Sequence, residues 1–110
     1  MGANMVNVGL PTRSGSEAFR QAVSEVWMPA LEKFQPEMIF ISAGFDGHRE
    51  DDMGNLALVE ADYEWVTKQI VMIAQRYSHG RIVSCLEGGY DLSSLGRSVA
   101  AHVRVLIGAD

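Results

Sequence analysis

Met38-Ile39-Phe40-Ile41-Ser42-Ala43 is a continuous apolar run, and Ile82-Val83-Ser84-Cys85-Leu86 is a second; each is bounded by glycine, proline or charged residues. Neither alternates polar with apolar positions. A strand that is apolar on both faces is one covered on both faces, so the pair predicts a parallel sheet sandwiched by helices rather than an antiparallel sheet with a wet side. Asn4 to Val8 is a weaker third strand.

Around these runs the period changes. Tyr63, Val66, Ile70, Ile73 and Tyr77 recur at spacings of three and four, the apolar stripe of an amphipathic helix placed near Val59 to Tyr77. Phe19, Val23, Val26, Ala30 and Phe34 give an earlier helix, with Ser14 or Ser16 as N-cap and the Gln35-Pro36 step as its stop. Pro29 should kink that helix, because it cannot donate to the carbonyl of Glu25. A last helix runs from Leu92 to Ile107, with Asp91 as N-cap, Leu95, Val99, Val103 and Leu106 as buried positions and Gly108 as its end. The order strand, helix, strand, helix, strand, helix predicts right-handed crossovers in one α/β domain, a parallel sheet flanked by helices.

Composition sets the class. With 47% hydrophobic and 21% charged residues the 110-residue chain is globular, and 14 acidic against 9 basic side chains give a formal charge of -5. That charge opposes non-specific attraction to nucleic acid or an anionic membrane. The single cysteine, Cys85, excludes an intramolecular disulfide and leaves no cysteine cluster for structural zinc; reducing cytoplasm is its natural compartment. No apolar run approaches the roughly 18 residues that span a bilayer, and the N-terminus lacks the basic and apolar segments of a signal peptide. A cytoplasmic, unexported chain is expected. Cys85, inside an apolar strand and without a neighbouring base, reads as core rather than as a nucleophile.

In open α/β sheets ligands bind beyond the carboxyl ends of the strands, which directs attention to the segments after the two apolar runs. The first is Gly44-Phe45-Asp46-Gly47-His48-Arg49-Glu50-Asp51-Asp52-Met53-Gly54, and the second is Glu87-Gly88-Gly89-Tyr90-Asp91. Asp46, just past a buried strand, is costly there unless a cation, a helix N-terminus or hydrogen bonds satisfy it; it serves either as a metal ligand or as the anchor of its own turn. Asp46-x-His48 in extended backbone would place two ligands on one face, although a loop histidine is more often merely solvated. Gly88-Gly89-Tyr90 admits a ligand close to the backbone and then presents a phenol able to donate to an oxyanion; alternatively it is a turn into the last helix.

Ser42-Ala43-Gly44-Phe45-Asp46-Gly47-His48 and Leu86-Glu87-Gly88-Gly89-Tyr90-Asp91-Leu92 together resemble two signature segments of the histone deacetylase and acetylpolyamine amidohydrolase family, in matching order and separation. Asn7-Val8-Gly9-Leu10-Pro11 extends the likeness over nearly the whole chain, as the C-terminal part of such a domain. The second segment and His48 to Met53 resemble class II and bacterial members. Asp52 stands where many relatives have proline, which should loosen that turn without touching a family metal ligand.

The resemblance implies the arginase/deacetylase fold, with residues 1–110 as the C-terminal segment of one domain. It implies Asp46 as a zinc ligand and Tyr90 as the catalytic residue that polarises the substrate carbonyl and supports the oxyanion. Met53, Gly88 and Gly89 match positions lining the acyl-chain tunnel. His48 matches no family ligand. In the family a zinc-bound water attacks the acetamide, a histidine pair moves protons, and acetate leaves an amine of lysine or a polyamine. That histidine pair and the family's Asp-x-His ligands are absent from these residues. The chain alone is therefore expected to be inactive and, with a sheet edge unpaired, to self-associate. Two other readings remain: a non-catalytic α/β association module, and an anion site at the glycine turn before the last helix, which lacks any G-x-G-x-x-G or Walker pattern.

Overall fold

The computed structural model describes residues 4–109. Helix α1 (Ser16–Ala22) runs through a π-helical segment, Val23–Trp27, into α2 (Met28–Phe34); β1 (Ile39–Gly44), α3 (Glu60–Tyr77), β2 (Ile82–Gly88) and α4 (Leu92–Leu106) follow. The two apolar runs are strands, paired in parallel from Ile39 opposite Ile82 to Ala43 opposite Leu86. The register then slips, so that Gly44 faces Gly88 and Glu87 is the extra residue of a bulge. Asn4 to Val8 forms no strand, which leaves a two-stranded sheet among the described residues.

The break in the first helix takes a different form from a simple proline kink. Pro29 is the second residue of α2, and the wider π turn just before it shifts the ladder past the missing Pro29 N–H. Neither serine caps α1. Gly15 is the N-cap, while the Ser16 hydroxyl donates to Asp62 Oδ2 at 2.6 Å. Asp62, fully buried in the first turn of α3, also accepts from Arg20 Nε at 3.0 Å and from the Val59 N–H at 3.0 Å. Three donors offset the cost of burying that carboxylate and tie α1 to α3. Gln35, in the left-handed conformation at φ 54, ends α2 before Pro36 as the sequence implies.

Helices α3 and α4 lie side by side, and Phe19, Leu95 and Val99 pack with Ala43, Phe45, Leu58 and Tyr63 on the Ile41 face of the sheet. Burying Phe45 and Ile73 contributes about 2 kcal/mol each. The buried face of α4 is rotated from its apolar stripe: Ser94, Ser98, Ala101 and His102 are buried, whereas Val103 is exposed. Small side chains let α4 approach closely, and His102 takes the remaining space with both ring nitrogens bonded. The Thr67 hydroxyl donates to the Tyr63 carbonyl at 2.6 Å, so it accepts from His102 Nδ1–H at 2.8 Å; Nε2 then accepts from the Ser84 hydroxyl at 2.8 Å. Burial holds the His102 pKa below its ordinary value.

The opposite face of the sheet is bare. Phe40 is 72% exposed, with Val83 and Cys85 exposed on the same face. The sequence predicted covering layers on both faces and a core position for Cys85; the described residues supply helices to one face, and Cys85 points away from it. Val26 and Phe34 of the first helical stretch are exposed as well.

Candidate active site

Both predicted loops leave the sheet at the carboxyl ends of the strands. The Phe45 N–H donates to the Gly88 carbonyl at 2.8 Å, joining the starts of the loops, and the Phe45 ring is buried against Tyr63 and His102. Asp46 follows. Its carboxylate lies over two glycines: a Cβ on Gly44 would sit 3.2 Å from Oδ1, and one on Gly88 3.3 Å. The β-bulge makes this possible, because it places Gly88 rather than Glu87 opposite Gly44. No side-chain hydrogen bond or ion pair among the described residues uses the Asp46 carboxylate. The loop then folds back, with Leu58 N–H on the Gly47 carbonyl at 3.0 Å and Arg49 N–H on Leu58 at 2.8 Å. Gly54 closes it against Asp46 so tightly that a Cβ there would lie 1.7 Å from the Asp46 carbonyl oxygen.

The second loop turns at Gly89, whose φ of 141° suits glycine and whose Cβ would meet Leu95 Cδ1 at 2.6 Å. Tyr90 comes next, 61% exposed, with no partner for its hydroxyl among the described residues. Asp91 caps α4 as predicted, accepting from the Ser94 N–H at 2.9 Å. Met53 is exposed on the first loop.

A residue with no sequence signal joins the two loops. Asp51 is only one acid in a charged run, yet it is 2% exposed. Its Oδ2 accepts from the Tyr90 N–H at 2.7 Å and the Asp91 N–H at 3.1 Å, and its Oδ1 from the Met53 N–H at 2.8 Å. These amides, Tyr90 foremost, hold the Asp51 carboxyl below the usual carboxylate range.

His48 is fully buried, not solvated. Its Nδ1 accepts from the Glu50 N–H at 3.1 Å, leaving Nε2–H to donate to Glu60 Oε1 at 3.1 Å. It therefore faces Glu60 rather than sharing a ligand set with Asp46. His48, Glu50 and Glu60 bring three ligand atoms within 4.8 Å of one another. The cation at this cluster is Arg97 of α4, which pairs with Glu50 at 2.6 Å and Glu60 at 2.5 Å. Arg97, with His48 adding, holds Glu60 down to about 2. The cluster fastens the first loop and α3 to α4, and nothing in its sequence spacing announces it.

Tyr63, read from the sequence only as part of the α3 stripe, is also missed by motif reading. Its hydroxyl is buried without a partner near Gly47; burial first, then the carboxylates of Asp46, Asp62 and Asp51, push its pKa up. A pocket of about 320 Å³ has Asp46, Tyr63, Thr67 and His102 among its walls.

The family model described as the histone deacetylase domain matches residues 1–106. The chain belongs to the histone deacetylase family. It is 45% identical over 107 residues to "Type-2 histone deacetylase 2" of Dictyostelium discoideum, covering 94% of this chain and 6% of that protein. It is 41% identical over 105 residues to "Histone deacetylase 14, chloroplastic" of Arabidopsis thaliana, covering 96% and 25%. The solved HDA15 HD domain matches at a TM-score of 0.80 and 31% identity, over 87% of this chain and 26% of that one. The chain thus spans about a quarter or less of the length of these relatives. The α/β architecture agrees with that solved domain, and no described helix is long and apolar enough to cross a membrane.

The donor set at Asp46 fits zinc as far as it goes. A carboxylate at the open end of a sheet, with no side-chain hydrogen bond to it among the described residues and two glycines clearing its flank, suits a divalent cation. The His48 cluster fits less well, because a guanidinium already pairs with both of its carboxylates.

Proposed function

We propose that this chain carries the Asp46 and Tyr90 part of a zinc-dependent amidohydrolase site that removes acetyl groups from acetyl-lysine or acetylated polyamines. The observation that carries this reading is the Asp46 carboxylate, unpartnered among the described residues at the strand ends where the Tyr90 loop also begins. Asp46 holds the metal, and bound zinc would supply Lewis acidity. The Tyr90 hydroxyl donates a hydrogen bond to the substrate carbonyl oxygen as negative charge develops on it. Gly88 and Gly89 leave the acyl path free of side chains, and the exposed Met53 lines its wall. A zinc site needs about three protein ligands, and Asp46 is the one this chain brings, so the 110-residue chain alone has no turnover.

In the full-length protein Asp46→Ala should lose zinc, whereas His48→Ala should keep it, as read by elemental analysis of the purified variants. Loss in both would make His48 a ligand; retention in both would remove Asp46 from the zinc site. The bare face carrying Phe40, Val83 and Cys85 favours a second reading, an association module without catalysis, and full-length protein that takes up no zinc would select it.

A further inference from the structure

Tyr90 has little of its own to hold it in place. Two glycines precede it, its ring is mostly exposed, and its hydroxyl is unbonded among the described residues. A phenol on so free a stem would sample many positions, yet a donor aimed at a developing oxyanion must be fixed before charge appears. The anchor in this structure is on the backbone. The N–H groups of Tyr90 and Asp91 converge on one oxygen of Asp51, and the other oxygen takes the N–H of Met53. Asp51 is nine-tenths buried or more and its charge is matched by these amides. The carboxylate is held from both sides, so moving it moves both loops.

We propose that Asp51 is the positioning residue for Tyr90: its carboxylate clamps the backbone of the tyrosine to the Met53 loop and so sets where the phenol stands. This rests on the reading of Tyr90 as the oxyanion donor. Asp51 touches no substrate; it acts through Tyr90. Three donors on two oxygens also make the carboxylate hard to replace. Asparagine offers a single acceptor oxygen and can serve one loop but not both.

The test is a mutant cycle in the zinc-loaded full-length protein, with an acetyl-lysine peptide as probe. Tyr90→Phe and Asp51→Ala should each lower kcat roughly a hundredfold, the scale of a donor removed or displaced by about an ångström. KM and zinc content should change little. The double variant should be no slower than Tyr90→Phe alone, because a clamp has nothing left to position once the hydroxyl is gone. Asp51→Asn should lower kcat to a value between wild type and Asp51→Ala, because its single acceptor oxygen keeps one loop and releases the other. In wild-type protein the Tyr90 and Asp91 amides should resist hydrogen exchange despite the exposure of the Tyr90 ring, a readout that needs no variant to fold. If Tyr90→Phe alone leaves turnover intact, the oxyanion reading fails and the clamp with it. If Tyr90→Phe is slow but the two effects multiply, or the two amides exchange as fast as unstructured chain, the clamp fails while the oxyanion reading stands.

Discussion

One oxygen of the Asp51 carboxylate accepts the backbone N–H of Tyr90 at 2.7 Å, across 39 residues of sequence. This bond joins the loop after β1 to the loop after β2. Gly54, on the first of those loops, marks how tightly the arrangement is built.

Gly54→Ala should disturb Asp46 directly, since the new methyl would overlap the Asp46 carbonyl. Backbone has to move to relieve the clash, at a cost on the order of 3 kcal/mol, and Asp46 moves with it. Denaturant unfolding and zinc content of the full-length variant should both fall. An unchanged midpoint with full zinc would mean the loop is looser than described.

His102 should make stability fall in mild acid. Its folded pKa lies below the ordinary 6.5, so its contribution is complete above that value and is lost as pH drops through it, when the unfolded chain binds a proton that the buried ring resists. Urea midpoints at pH 7.5 and 5.5 should differ, and His102→Gln should flatten the difference. An equal slope in the variant would assign the acid sensitivity elsewhere.

The 110-residue chain by itself should self-associate, because Phe40, Val83 and Cys85 form an uncovered apolar face on a sheet whose edges are unpaired among the described residues. Sedimentation velocity at rising concentration should show dimers or larger species. A monodisperse monomer at high concentration would contradict this.

Strands β1 and β2, the length of α3 and the Asp91 cap were legible because each rests on a local rule: an apolar run, a period of 3.6, a short polar side chain before a helix. The bare sheet face was not, since an apolar strand records what it is built to meet and not whether that layer lies within these residues. Asn4 to Val8 failed as a strand because backbone pairing is a nonlocal fact. At the site, Asp46, Gly88, Gly89 and Tyr90 stood out as residues at strand ends. Asp51, Tyr63 and the His48-Glu60-Arg97 set did not, because their roles lie in contacts with groups 12 to 39 residues away or, for the Tyr63 hydroxyl, in the lack of one.

The central claim is that Tyr90 supplies the oxyanion donor, and deleting that one hydroxyl tests it. In the full-length, zinc-loaded protein, Tyr90→Phe should preserve fold and metal while lowering turnover of an acetyl-lysine peptide roughly a hundredfold or more, with KM little changed. Phenylalanine keeps the ring and its contacts, so a packing role predicts no loss. Near wild-type turnover with zinc fully bound would contradict the assignment and leave Gly88-Gly89-Tyr90 as a turn into α4.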